Sequence, residues 1–304
     1  MKKLSLPAQK QAVDFLKHHA RPLEYAQWQF FSGEITLDVV LSHLAAFSNE
    51  DGGFGQGIEP DQRSQKSSVL GCCEALEMMY GMGVSAHHPL VNGALDWLEH
   101  EGMSEESGLW PYLPDDLDDA PSAPWWNLKT LSETFDHFVI NPRGRVHAAF
   151  FQFSRPLPES QRAVESIIHY VQQQETLPPD SVRSVLRLYE AKNLPEMLSS
   201  QLELCLQRIL PASMETDSNQ WSTYGLQPLE VVTHPESPFY PLLQSSVERQ
   251  LDYLIETQQA NGSWAPFWTW GGTAYPQDHA DSFQEWSGIL TLRYLRILQK
   301  FARK

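Results

Sequence analysis

The sequence predicts an all-α fold, a ring or array of helical hairpins, on three observations. A short helix-end pattern recurs along the chain, prolines punctuate it where helices can start, and no stretch alternates apolar and polar residues over strand length. The recurrence carries most of the weight, because stacked copies of one supersecondary unit leave a period in the sequence.

Residues 43–54 read HLAAFSNEDGGF, residues 97–110 read WLEHEGMSEESGLW, and residues 253–264 read YLIETQQANGSW. Each opens on a ring residue followed by Leu. Three residues then precede Ser48, Gly102 or Gln258, and each copy closes on Gly-x-aromatic: Gly52 and Phe54, Gly108 and Trp110, Gly262 and Trp264. The turn glycines are spaced by 56 and then 154 residues, the second interval leaving room for further, degenerate copies near Tyr170 and Trp221. In the third copy a helix over 247–257 places Val247, Leu251, Leu254 and Ile255 on one stripe. Gly262 supplies a positive φ, and Trp264 folds back on the helix end. Gln258 is expected to satisfy the terminal carbonyls while stacking on the ring.

Each turn leads into a second helix: SSVLGCCEALEMMY, APWWNLKTLSETF and SFQEWSGILTLRYLRIL. Pro22, Pro89, Pro142, Pro156–Pro158, Pro178–Pro179, Pro195 and Pro241 mark the inter-helix boundaries. An open solenoid ends in polar capping repeats. Here the last helix is apolar almost to its end, so closure onto the first helix is expected. No linker or low-complexity segment divides the chain, and residues 1–304 read as a single domain.

Net charge is −16, with 22 Lys and Arg against 38 Asp and Glu, which argues against a nucleic-acid partner. The N-terminus has no signal-peptide core, and no apolar run reaches membrane-spanning length. Cys72, Cys73 and Cys205 form no paired motif, so a reduced, cytoplasmic protein is expected. Seven of the ten Trp lie in 110–126 or 264–286, two aromatic-rich stretches suited to a neutral, apolar or carbohydrate small-molecule ligand.

Tyr253, Leu254, Gln258, Gly262 and Trp264 occupy the positions of the QW motif of terpenoid cyclases, and the first two copies resemble it without the Gln. The chain thus resembles the α-α toroid superfamily of squalene and diterpene cyclases and protein prenyltransferase β subunits. The stretch NEDGGFGQGIEPDQR is also similar to small bacterial toroid proteins of unassigned activity. The resemblance implies an (α/α)6 toroid, with a central cavity lined at one end by the hairpin turns. Asp116-Leu117-Asp118-Asp119 spells the cyclases' DxDD motif, which implies Asp118 as the acid that protonates an alkene, supported by Asp116 and Asp119. The family continues Thr-Ala where this chain has Ala120-Pro121, and those cyclases add a second helical domain. The prenyltransferase zinc motif, Asp-x-Cys, is absent: Leu70, Gly71 and Glu203 stand two residues before the three cysteines.

Clustered carboxylates can hold one proton in a dry site, and Trp110, Trp125 and Trp126 offer π faces to a developing cation. Glu50, Asp51, Glu59 and Asp61 form a second carboxylate group on a Gly-rich loop. Paired carboxylates of this kind cut glycosidic bonds. The same residues also serve as helix caps, Glu59 or Asp61 for a helix starting near Ser64 and Asp281 for the last helix. Trp264, Trp268 and Trp270 are candidate ligand-lining rings, with His234 beside Glu236. His234, Glu236, Asp278, His279, Asp281 and Glu285 are of metal-ligating type, but no metal and no cofactor is expected. Three readings remain: a toroid acting on an apolar isoprenoid-like molecule, a glycan-active hydrolase or lyase, and a non-catalytic binding module.

Overall fold

The computed structural model describes the chain apart from Met1, residues 105–108, Asp115, Thr273 and the side chains of Asp118 and Asp136. Gly108, the turn glycine of the middle copy, is therefore outside the described residues. Among the described residues the fold is all-helical, with isolated bridges in place of strands.

Unit one takes the two ends of the chain, Met1–His43 and Met214–Lys304, and unit two takes Leu44–Ser213. The chain opens with α1 (Leu6–His19), α2 (Pro22–Phe31) and α3 (Leu37–Leu44). Unit two then contains α4 (Val69–Gly81), α5 (Pro89–His100), α6 (Leu128–Thr134), α7 (Arg143–Gln152), α8 (Ser160–Gln172), α9 (Pro179–Tyr189) and α10 (Glu196–Ser213). The last segment adds α11 (Pro228–Val231), α12 (Tyr240–Thr257) and α13 (Pro276–Lys300).

Prolines sit where their missing N–H costs nothing, in the first turn of α2, α5, α9 and α12. Pro211 is the exception, inside α10 two residues before its end. Ser68 caps α4 by accepting from the Gly71 amide at 2.9 Å, so α4 starts later than Ser64 and neither Glu59 nor Asp61 is its cap. The last helix starts earlier than expected, at Pro276. Asp281 is consequently interior to α13, where its carboxylate accepts from Gln277 at 2.8 Å.

In unit two α7 packs against α4, α5, α8 and α9, and α10 lies against α8 and α9. That position explains its sequence: every residue of α7 from Gly144 to Gln152 is buried, so it lacks the polar face of a surface helix. In unit one α13 packs on α1 and α2, and the Leu4 amide bonds the Arg303 carbonyl at 2.7 Å.

The expected stripe on α12 is corrected at one position. Leu243, Val247, Leu251 and Leu254 are buried, but Ile255 is only half-buried, and Gln250 takes the inner place at 1 % exposure. Its amide oxygen accepts from the Leu229 amide at 2.7 Å, which offsets the desolvation.

The recurrent turns share one geometry. The Asn49 amide bonds the Gly53 carbonyl at 2.9 Å, and the Gly52 amide returns to Asn49 at 3.0 Å. In the third copy the Gln259 amide bonds Ser263 at 2.9 Å and the Gly262 amide returns to Gln259 at 2.9 Å. The middle copy, two residues longer, keeps the outer bond from Ser104 to Leu109 at 2.8 Å. Gly262 has φ +90°, and a Cβ there would lie 2.3 Å from the Gln11 carbonyl carbon, so the turn rests directly on α1.

The aromatic residue that ends two of these copies is a pin. Trp110 donates its indole N–H to the Leu98 carbonyl at 2.8 Å, and Trp264 donates to Leu254 at 2.7 Å. Each acceptor is the Leu of its own ring-Leu pair, a last-turn carbonyl beyond the reach of the backbone ladder, though Leu254 also accepts from the Thr257 hydroxyl at 3.5 Å. Gln258 does not fill that role. Its amide donates outward, to Ala8 on α1 at 3.0 Å and to the Gly262 carbonyl at 2.9 Å.

Candidate functional site

The Gly-rich loop of unit two turns back on itself before α4. Gly55 permits this, since a Cβ there would lie 2.0 Å from the Lys66 carbonyl oxygen. Glu59 then caps the next turn: its carboxylate accepts from the Asp61 amide at 3.3 Å, and its carbonyl accepts from the Gln62 amide at 3.1 Å. Asp51 is likewise structural, accepting from Gly53, from Ser67 at 2.7 Å and from the Trp97 indole at 3.1 Å.

The loop pairs with the segment that carries DDLDD. The Ala123 amide bonds the Asp61 carbonyl at 2.9 Å, and the Arg63 amide bonds Pro121 at 3.0 Å. Gln62 and Ser122 oppose each other as an isolated antiparallel bridge. Ser64 donates its hydroxyl to the Asp116 carboxylate at 2.8 Å, and the Leu70 amide bonds Tyr112 at 3.1 Å. Two carboxylate groups about fifty residues apart in sequence are thus one loop pair.

Along this pair Glu59 is 7 % exposed and Asp61 3 % exposed, while Asp116 is half-buried and Asp119 exposed. Asp119 belongs to a short 3-10 turn, Leu117–Asp119, its amide bonded to Asp116 at 3.0 Å. The side chain of Asp118 lies outside the described residues.

Aromatic rings wall the pair. Tyr112 meets Trp126 edge to face at 5.8 Å and Phe135 at 5.4 Å. The Trp126 amide closes a turn onto the Ala123 carbonyl at 3.0 Å, so α6 begins only at Leu128, capped by Asn127. Trp125 in the same turn is exposed, whereas Trp110 is buried and spends its N–H on the helix end. Two donors here are sealed from solvent and have no acceptor: the Gln62 side-chain amide nitrogen and the Trp126 indole nitrogen. An unmet buried donor costs about 1–3 kcal/mol.

An ion-pair network holds the wall from behind. Arg145 of α7, almost wholly buried, donates to Glu77 at 2.7 Å, to Glu74 at 2.8 Å and to the Tyr112 hydroxyl at 2.7 Å. Arg187 of α9 meets the second oxygen of Glu77 at 2.9 Å. Burial works against the Glu77 charge, but Arg145 and Arg187 outweigh it and hold the carboxyl below its usual range. Burial pushes the Tyr112 hydroxyl well above the usual tyrosine range, so it stays protonated.

The remaining candidates belong to unit one. Trp264 is 3 % exposed and pinned to Leu254. Trp268 packs edge to face on Phe267 at 5.0 Å and on Trp286 at 5.1 Å. Trp270 stacks on His279 at 5.7 Å, and its amide donates to that ring at 3.3 Å. His234 lies 3.3 Å from the Glu236 carboxylate. Among the described residues no three His, Cys, Asp or Glu side chains group as a metal site.

Sequence reasoning missed Gln62, Ser64, Tyr112, Phe135 and the Arg145 network. Gln62 follows Asp61 directly, and Ser64 reads as the start of a helix, so neither stands out as a site residue. The one available signal for Arg145 was a cation placed just before the apolar stretch of RGRVHAAFF. The chain matches no protein-family model and no curated protein.

Proposed function

We propose that the chain is a toroid-type protein that binds a small neutral molecule at the loop pair of unit two, with its carboxylates as the proton-handling groups. The observation that carries this reading is the pairing of the Glu59–Asp61 turn with the Asp116 segment, whose flanking residues Tyr112 and Trp126 pack with Phe135 in one ring cluster. Acid–base chemistry needs carboxylates held in a poorly solvated, aromatic-walled place, and burial of Glu59 and Asp61 supports that. The same burial counts against a non-catalytic module, whose acidic turns should be fully solvated.

The leading occupant is an apolar, isoprenoid-like molecule. Its support is the QW-like pattern, the DxDD spacing and the ring wall, and Asp118 is the proposed acid. A glycan-active reading stays in view for one reason: Glu59 and Asp61 supply a second carboxylate pair on the same loops.

The test is a thermal-shift panel of isoprenoid alcohols and prenyl diphosphates against neutral oligosaccharides. A ligand at about a hundred times its Kd adds about 2.7 kcal/mol of stability. A shift with isoprenoids alone, with turnover lost in Asp118→Asn, supports the first reading. A shift with sugars alone, with turnover lost in Glu59→Gln or Asp61→Asn, supports the second. No shift with either class counts against a ligand site on these loops.

A further inference from the structure

We infer that the molecule taken by the loop pair is hydroxylated, and that Gln62 and Trp126 are the donors that recognise its oxygens. The inference rests on the reading of these loops as a binding site and names what the site selects.

The two donors are neighbours through the backbone. Gln62 is in the ladder itself, opposite Ser122. Ala123, the next residue, bonds the Asp61 carbonyl, and Trp126 closes a turn onto Ala123. Gln62 is 2 % exposed, and neither its amide nitrogen nor the Trp126 indole nitrogen has an acceptor or contact with solvent. Four other indoles are satisfied, Trp97, Trp110, Trp221 and Trp264 each donating to a carboxylate or carbonyl within 3.1 Å; the Trp286 indole, on α13 of unit one, is also buried without an acceptor. Buried donors are normally paired, so two unmet ones on one loop pair mark a place completed by an incoming acceptor.

A hydrocarbon has no acceptor to offer. An anion with acceptors meets Glu59, Asp61 and Asp116, three carboxylates against the one Arg63 guanidinium of the pair, so the net field repels it. A hydroxyl group does both jobs, accepting from Gln62 or Trp126 and donating to a carboxylate. The Tyr112–Trp126–Phe135 rings add an apolar face, so the preferred shape is a ring or chain with one apolar side and hydroxyls on its edge. Carbohydrates and hydroxylated terpenoids share this chemistry, and the probes below separate them.

The experiment titrates the full-length protein with α-terpineol, with its hydrocarbon counterpart limonene and with maltotriose, using wild type, Gln62→Met and Trp126→Phe. The expected result is binding of at least one hydroxylated probe and none of limonene. Gln62→Met should weaken binding at least tenfold while leaving the ligand-free Tm unchanged or higher, because the unmet donor is gone. Trp126→Phe should weaken the same probe and repeats the test where Gln62→Met folds poorly. Binding of limonene as tight as α-terpineol, undiminished binding by both variants, or a lower ligand-free Tm in Gln62→Met each overturns the inference. In the last case the amide has a structural partner. Binding that ignores both variants leaves the loop-pair reading standing, whereas no binding of any probe by wild type overturns that reading as well. Preference for maltotriose or for α-terpineol assigns the source.

Discussion

Trp264 and Trp110 sit ten or more residues beyond their acceptors, yet each closes a helix end with one indole N–H. The side chain does two jobs, filling the core and satisfying a last-turn carbonyl. Trp264→Phe keeps most of the first and removes the second, leaving the Leu254 carbonyl only the long 3.5 Å bond from the Thr257 hydroxyl. The expected loss is about 1–3 kcal/mol, read by chemical denaturation; an unchanged midpoint would mean the carbonyl finds another donor. A second residue-scale test concerns His147, which lies 3.0 Å from the Ser160 hydroxyl and is 1 % exposed. Burial, aided by the Arg143 charge, pulls its pKa down to about 3. A base with a depressed folded pKa binds fewer protons folded than unfolded. Its neutral form therefore costs nothing above the unfolded value of about 6.5, and stability is lost below it at up to about 1.4 kcal/mol per pH unit. His147→Gln should flatten the stability profile between about pH 6 and pH 4 relative to wild type; parallel profiles would contradict the assignment.

At the scale of elements, α4, α7 and α9 are joined by apolar packing and by one set of charges, Glu74, Glu77, Arg145 and Arg187. Removing Arg145 leaves Glu77 with Arg187 alone and takes away the cation beside Glu74, so Arg145→Ala should cost about 3 kcal/mol. Arg145→Ala combined with Glu77→Gln should cost less than the sum of the two single changes, because the second removes the charge the first stranded. Additivity would show that the network does not couple the helices. This scale is also where the sequence was most and least readable. Prolines, turn glycines and ring-Leu pairs are local signals, and they marked helix starts and ends correctly around α2, α5, α9 and α12. Caps and starts failed wherever a partner lay far along the chain. Gln258 looks like a cap for its own helix, but its acceptor is Ala8, 250 residues away in sequence. The start of α6 slipped because Trp126 is held in a turn anchored, through Ala123, to Asp61. In the loop pair itself, both carboxylate groups were visible in the sequence. Their union was not, because a single isolated bridge between irregular loops, Gln62 opposite Ser122, leaves no periodicity.

For the whole molecule, the net charge of −16 over 304 residues is a net self-repulsion. Raising ionic strength from about 0.01 to 0.15 M shortens the screening length from about 30 to 8 Å, so Tm should rise. A fall would mean that specific ion pairs, such as those of Arg303 with Glu248 and Asp252, dominate the electrostatic balance. The Gly-rich loop and the DDLDD segment form one site only if their contacts are energetically coupled. The most direct measurement is a double-mutant cycle on Ser64→Ala and Asp116→Ala, read by chemical denaturation without any ligand. Their 2.8 Å hydrogen bond predicts a coupling energy of at least about 0.5 kcal/mol, the double variant being little worse than either single one. Strictly additive effects would contradict the joined site and leave the two carboxylate groups as separate surface loops.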